Sequence, residues 1–326
     1  MSVRLGVLGA AKILQTAVID PARDVPDLTV TAIAARDLDR ATALAAQHGI
    51  PRVLADYDTL LADPDVDAIY IPTPASLHGL WTARALAAGK HVLCEKPFTA
   101  NADEAARIAA LADGTGLVVM EAMHAQHHPA WARVRELLDQ GVIGEPRTAE
   151  ATFLVDIADR GDIRWQQALG GGALMDLGVY PLRFLQTVFG TPVVRAASAV
   201  EVDGVDGSIT VRLDLPGGVD GTVRASMVQD QPEAEATIVG TTGTLRVHLP
   251  YHPQMGGHLV VETADGRTQE QLDPTPTYVF MLRAFAEAVL HGGPVVTDPA
   301  EAVRSMRVVD AADVAAGLSP RQPVEG

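Results

Sequence analysis

Apolar positions in the first third of the chain come in short continuous runs, at residues 3–8, 29–34, 68–71, 91–94 and 117–120. Between them, alanine-rich stretches at 39–48, 77–88 and 101–113 repeat their apolar residues at helical spacing. Uninterrupted apolar strands alternating with helices are what a parallel sheet covered on both faces requires, because neither face meets water. With right-handed crossovers the pattern predicts a doubly wound α/β domain of the Rossmann type over residues 1–123. The helix punctuation agrees. Asn101 stands at capping-box spacing before Glu104, and Gly89 follows a helix ending near Ala88.

Past Pro129 a helix at 130–140 leads into a different texture. Residues 147–155, 208–215, 221–228 and 234–239 alternate polar with apolar, strictly so in Ser208-Ile209-Thr210-Val211-Arg212-Leu213-Asp214-Leu215. Such alternation marks an antiparallel sheet with one wet face. Pro216-Gly217-Gly218 and Thr242-Gly243 read as hairpin turns, and helices over 278–291 and 299–316 close the chain. Residues 124–326 are thus expected to form an α+β domain around a large open, mostly antiparallel sheet.

Composition narrows the function classes. A formal charge of −16 argues against a nucleic-acid partner, which needs clustered Lys and Arg. With aromatics at 4% and alanine abundant, the core must be aliphatic. The single cysteine, Cys94, excludes an intrachain disulfide, fits a reducing cytoplasm and, at the end of an apolar run, reads as a core thiol. Residues 3–11 are apolar, but Arg4 and Lys12 break the run early, and no stretch approaches the roughly 18 apolar residues of a membrane span. The expectation is a soluble, cytoplasmic protein with no membrane partner.

The first strand ends in Gly9-Ala10-Ala11-Lys12-Ile13-Leu14. A dinucleotide fingerprint, G-x-G-x-x-G/A, lets backbone amides approach a pyrophosphate at a helix N-terminus; here only Gly9 is kept, with Ala11 second and Leu14 third. Where an NAD enzyme places an acid for the ribose 2′-hydroxyl, the second strand ends in Ala35-Arg36. A small residue followed by a guanidinium suits a 2′-phosphate, so the reading is NADP, with NAD less favoured. The alternative is an exposed arginine paired with Asp37 or Asp39.

The strand at 91–94 runs directly into Glu95-Lys96-Pro97, and ionisable groups beyond the carboxyl end of a parallel strand lie where such sheets bind ligands. Here the chain resembles the Gfo/Idh/MocA family, by Glu95-Lys96-Pro97, Ile71-Pro72-Thr73-Pro74 to His78, Met120-Glu121-Ala122 and Gly170-Gly171-Gly172-Ala173-Leu174-Met175-Asp176-Leu177-Gly178. Leu8-Gly9-Ala10-Ala11, Ala34-Ala35-Arg36-Asp37 and Gly240-Thr241-Thr242-Gly243-Thr244 resemble its dihydrodiol dehydrogenase and NADP-dependent D-xylose dehydrogenase branch. The resemblance implies that Lys96 is the catalytic lysine, with a cis bond to Pro97 allowed. It places Gly9, Ala11, Lys12, Ile13, Arg36, Pro72, Thr73, His78, Glu95 and Lys96 in the cofactor site. It further implies a homodimer or homotetramer built on the open sheet.

Asp176 and Tyr180 match that family's Asp-x-x-x-His/Tyr pair. The spacing also stands alone, since i and i+4 share a helix face. A phenol ionises near pH ~10, so Tyr180 needs a cation, assigned to Lys96, to act at neutral pH. Asp176 then holds the lysine or a second substrate hydroxyl. His124, Gln126 and Arg164 complete the substrate candidates, and Arg147 reads as structural or interfacial.

Glu121 with His124, His127 and His128 has a spacing zinc can use, but hydride transfer to a nicotinamide needs no metal, and none is assigned. Met123-His124-Ala125-Gln126-His127-His128-Pro129 departs from the aromatic-rich stretch of the resembled branch: Gln126 stands for an arginine and His127 for an aromatic ring. That favours a polar, sugar-like substrate over an arene. The expectation is an NADP-dependent oxidoreductase acting on a secondary alcohol or carbonyl. The alternatives are a catalytically silent nucleotide sensor and an aldose–aldose oxidoreductase that retains its cofactor.

Overall fold

The computed structural model describes residues 2–324, which divide into two compact units. The first contains the residues through His124, Tyr278–Val303 and residues 323–324; the second contains Ala125–Thr277 and Arg304–Gln322.

In the first unit, β1 (Val3–Leu8), β2 (Leu28–Ala34), β3 (Val53–Leu54), β4 (Ala68–Ile71), β5 (His91–Cys94) and β6 (Val119–Glu121) form a parallel sheet in the order β3-β2-β1-β4-β5-β6. This is the doubly wound order, and it reverses direction between β1 and β4. β4 is buried along its whole length and β5 nearly so, as the unbroken apolar runs require. The helices follow the expected spacing, with Asp37, Asp56 and Asn101 as N-caps accepting from Arg40, Thr59 and Glu104 amides. β3 and the helix Tyr57–Ala62 carry no long apolar run and were not expected.

The helix Thr277–His291, assigned by the sequence pattern to the second domain, packs in this first unit. Val279, Met281, Leu282, Phe285 and Ala286 join the core formed by β1, β2 and the first helical segment. Period alone gives a helix its apolar face but not its partner, so one cut at residue 123 does not describe this element.

The second unit holds an eight-stranded sheet. Its strands are β7 (Pro146–Asp156), β8 (Val193–Val202), β9 (Val205–Leu215), β10 (Val219–Ser226), β11 (Val228–Gly240), β12 (Gly243–His248), β13 (His258–Thr263) and β14 (Gly266–Gln271), in the order β14-β13-β12-β11-β7-β10-β9-β8. Every pairing is antiparallel except β7 with β10. Val205, Ile209, Val211, Leu213 and Leu215 are buried on one face of β9, where the helix Val179–Phe189 packs across β7, β9 and β10. The helix Pro129–Asp139 lies against that helix through an edge-on contact of Trp131 with Phe184, ring centroids 5.4 Å apart.

Beneath this layer lies a cluster of buried charge. The Arg321 guanidinium pairs with Asp206, and its Nη1 lies 3.6 Å from Asp313 Oδ2; the three side chains are 2%, 0% and 1% exposed. Two carboxylates sharing one guanidinium away from water cannot both ionise cheaply. Burial pushes Asp313 up to about 7, against the pull of Arg321 and with the push of Asp206 and Asp310. A carboxyl whose pKa is raised by folding keeps a proton that the unfolded chain has lost. Its contribution to stability therefore falls as pH rises from about 4 to about 7 and levels off above. In thermal melts, Asp313→Asn should consequently gain on wild type by several degrees on going from pH 5 to pH 8. A pH-independent difference would show that Asp313 does not titrate in this range.

Candidate functional site

The reversal between β1 and β4 sets the first half of the site, because loops leaving the carboxyl ends of those strands diverge and open a crevice. Gly9, at the end of β1, has φ +116° and donates its amide to Ala34 O at 2.7 Å. A side chain is strained in that conformation. After it, the amides of Ala10, Ala11, Lys12 and Ile13 donate no hydrogen bond among the described residues, and the chain then turns into a helix opening with the π turn Gln15–Ile19. Open amides at a helix start are a binding site for a phosphate.

Arg36 lies exposed beyond β2, forming no ion pair with Asp37 or Asp39 among the described residues; Asp37 instead caps the following helix. The Arg36 charge acts on Tyr57, whose hydroxyl would stand 3.5 Å from a Cβ at Gly9. Burial nonetheless raises the Tyr57 pKa. A guanidinium beside open amides matches the diphosphate and 2′-phosphate of NADP, so these residues fit that cofactor.

Beyond β5, Lys96 is half-buried and its bond to Pro97 is cis. Glu95 is buried beside it, accepting from Tyr70 Oη at 2.6 Å and from the Lys96 amide at 3.2 Å. Burial raises the Glu95 pKa against the pull of Tyr70 and Lys96, and raises Tyr70 still more strongly. Glu121 Oε1 accepts from the Phe98 amide at 3.0 Å, which fastens the far side of the same loop.

His78, 1% exposed, sits between the loops that follow β4 and β5, with Nδ1 2.7 Å from Pro97 O and Nε2 2.7 Å from Thr73 O. Burial drives its pKa down to about 4, although both carbonyls pull it up. A neutral ring has one N–H, so at neutral pH one carbonyl faces a bare nitrogen. With both nitrogens directed at the backbone, His78 ties Thr73 to Pro97 and does not reach toward a nucleotide. Pro72 is buried and Thr73 half-buried in the same loop.

In the second unit, the glycines at 170–172 are followed by the π turn Leu174–Gly178 and the helix Val179–Phe189. π turns recur at functional sites, and this one carries Asp176, with Tyr180 in the adjoining α-turn. The expected shared helix face is therefore built from two helix types. Asp176 Oδ2 accepts from Arg164 Nε at 2.7 Å, while Asp162 Oδ1 accepts from Arg164 Nη1 at 3.1 Å. Asp176 first, then Asp162, raise the Arg164 pKa. Tyr180, 5% exposed, stands among the rings of Phe153, Tyr251 and His252 with centroids 5.5, 5.6 and 6.4 Å away.

Gln126 Oε1 accepts from Arg183 Nη1 at 3.0 Å, which places Gln126 against the Tyr180 helix. His127 keeps part of its surface open but is dense with protein atoms, and that desolvation, then the Arg183 charge, lowers its pKa to about 4. His124 is fully buried in the first unit with its ring centroid 4.1 Å from that of Tyr278, where direct contact with a substrate would need exposure it lacks. Among the described residues no group of His, Cys, Asp and Glu is placed to hold a metal ion.

Sequence reasoning missed Tyr70, Arg183, Asp206 and Arg321. Arg183 had a signal, being a charge in an otherwise apolar helix face three residues after Tyr180. Arg321 had none, since it lies in an irregular tail.

A family model described as an oxidoreductase family with an NAD-binding Rossmann fold matches residues 3–123, and the GFO/IDH/MocA C-terminal domain matches residues 131–246. A dTDP-3,4-didehydro-2,6-dideoxy-alpha-D-glucose 3-reductase of Streptomyces violaceoruber is 38% identical over 97% of this chain and 96% of its own. A D-xylose 1-dehydrogenase (NADP(+)) of Haloferax volcanii is 37% identical over 94% and 95%. The crystal structure of a 3-ketoreductase from Actinomadura kijaniata in complex with NADP and TDP-benzene superposes with a TM-score of 0.92 at 34% identity, covering 97% of this chain and 98% of that one.

The His78 strut gives a direct check. His78→Phe leaves one buried carbonyl without its donor and should lower the unfolding free energy by about 1–3 kcal/mol, read as a lower urea midpoint. An unchanged midpoint would mean that the two contacts contribute nothing.

Proposed function

The chain belongs to the Gfo/Idh/MocA oxidoreductase family, and from that premise we propose that it transfers a hydride between NADP(H) and a secondary alcohol or carbonyl of a sugar-like substrate. The observation that carries the cofactor half is the run of open amides at residues 10–13 with the unpaired guanidinium of Arg36 one strand away. In this reading residues 1–123 bind the nucleotide, and residues 124–326 supply the substrate groups and the oligomer surface of a homodimer or homotetramer. A cytoplasmic location agrees with the buried, unpaired Cys94.

When bound, the nicotinamide gives or takes the hydride; the protein manages the proton. Lys96 hydrogen-bonds the reacting oxygen of the substrate and stabilises negative charge there. Tyr180 gives that oxygen its proton in reduction and takes it back in oxidation. Asp176, held by Arg164, accepts from a neighbouring substrate hydroxyl and fixes the reacting carbon. Lys12 and Ile13, following Gly9 and Ala11, offer amides to the diphosphate, while Glu95 and His78 brace the loop under Lys96. Arg164, Asp176 and Gln126 are hydrogen-bonding groups, which suits a polyhydroxylated substrate better than an arene. The substrate is either a free sugar or a nucleotide-linked keto sugar, the two kinds acted on by the relatives above.

The test is NADPH consumption, or NADP reduction, with free aldoses, diols and dTDP-linked keto sugars side by side. Lys96→Ala and Tyr180→Phe should each cut kcat by about 100-fold or more while NADPH affinity stays within a few-fold. Tight NADPH binding with no turnover on any class would leave a nucleotide sensor; nucleotide absorbance carried through purification would mark a retained cofactor. Arg36→Ala should weaken NADPH binding about 10- to 100-fold and leave NADH unchanged, measured by nicotinamide fluorescence. Equal weakening of both cofactors would remove the 2′-phosphate assignment.

A further inference from the structure

The catalytic roles above leave the buried cluster of Arg321, Asp206 and Asp313 without a part to play. Burying such a group is costly, and well-packed apolar residues often serve stability as well or better. Its position offers a reason. Arg321 Nε donates to Gly171 O at 2.8 Å, and its Nη1 donates to Ser319 O at 3.4 Å. Its Nη2 pairs with Asp206 Oδ1, while Asp206 Oδ2 accepts from the Leu174 amide at 2.7 Å. The pair therefore holds both ends of the segment 171–174, one through a carbonyl and one through an amide. Asp176, the next functional residue, donates its own amide to Gly172 O at 3.0 Å.

The packing is as specific as the hydrogen bonds. Gly172 has φ +124°, and any Cβ there would strike Asp206 and the Arg321 guanidinium. A Cβ at Gly171 would lie 2.5 Å from Arg164 O on the other side. The glycine segment is thus clamped between the buried ion pair and the backbone of Arg164–Gln166. That same backbone accepts the Gly172 amide at Arg164 O, 2.9 Å, and the Gly171 amide at Gln166 O, 3.0 Å, while the Arg164 side chain reaches Asp176. Both the main chain leading to Asp176 and the partner of its carboxylate are set by one clamp.

We propose that Arg321, with Asp206, is a positioning residue for the reaction: the carboxyl-terminal tail supplies a buried guanidinium that fixes the turn carrying Asp176 and Tyr180. This rests on the reading that Asp176 and Tyr180 serve turnover. The tail is therefore part of the catalytic apparatus, although Arg321 touches neither substrate nor cofactor. Arg164 holds the Asp176 carboxylate from the side, and Arg321 holds its backbone from below.

The test is steady-state kinetics with NADPH titration on the full chain. Arg321→Ala leaves two buried carboxylates uncompensated and can prevent folding, so Arg321→Lys and the double variant Arg321→Met with Asp206→Asn, in which Asp313 alone remains and can stay protonated, are made beside it. The double variant, folded by circular dichroism, should lose at least 10-fold in kcat with NADPH affinity within two-fold of wild type. Arg321→Lys, which keeps the charge but not the fork, should recover part of that loss. Amide exchange should quicken in peptides covering residues 166–178 and not in those of the first unit. A folded double variant with kcat within two-fold of wild type would overturn the proposal. Asp176→Asn and Tyr180→Phe are assayed in parallel: if both turn over normally, the reading of the site itself falls, whereas their loss beside an active double variant removes only the role of the tail.

Discussion

The constraint on which this structure turns is that a charge or hydrogen-bonding group taken out of water must be given a partner. The chain buries several acids, and most of them accept from backbone amides. Glu104 accepts from the Ala100 amide, Glu121 from Phe98, Asp206 from Leu174, and Glu95 from Lys96. Each of those amides belongs to a loop at the carboxyl end of a strand or to the turn before a helix. Buried carboxylates thereby do what regular secondary structure cannot do for such segments, which is to give an irregular backbone one low-energy conformation. At these segments the orphan amides are satisfied from within, in contrast to the open amides at residues 10–13.

The second device is helical geometry that departs from the α form where function gathers. π turns open the helix after β1 and the helix after the glycine run, at Gln15–Ile19 and Leu174–Gly178. Widening the turn changes which amides are left unpaired and shifts the angular position of the residues that follow. The open amides at residues 10–13 lie just before the first of these turns. At the second, Asp176 lies within reach of Arg164 while Tyr180 sits among aromatic rings. The same backbone deformation thus stands beside open amides in one unit and carries Asp176 in the other.

Much of this was legible in the chain because burial on two faces and burial on one face leave different periods. The unbroken runs of β4 and β5 and the strict alternation of β9 each announced their sheets, and Glu95-Lys96-Pro97 stood where a parallel strand ends. Elements without such a contrast were invisible. β8 and β14 lie at the edges of their sheet with mostly exposed side chains on both faces, so no alternation marks them. The helix Thr277–His291 showed its period but could not say which core it covers. His78 and His124 were readable as chemistry-bearing residues, whereas their burial, and so their bracing part, depends on neighbours far away in sequence. Arg321 is the limiting case, since a single arginine in an irregular tail has no pattern to betray a partner at position 206.

The Arg164 contact also bears on what Asp176 can do. A carboxylate already accepting from Arg164 through one oxygen keeps lone pairs for a second donor, and its charge is largely answered before substrate arrives. It is then better suited to receiving a hydrogen bond from a neutral hydroxyl than to neutralising a cation, because a second cation would have to compete with a guanidinium already in place. Within the proposed mechanism this suits Asp176 to orienting a polyhydroxylated substrate. The sequence pattern allowed either role, holding the lysine or holding a second substrate hydroxyl, and in both the guanidinium of Arg164, shared with Asp162, fixes the carboxylate from one side.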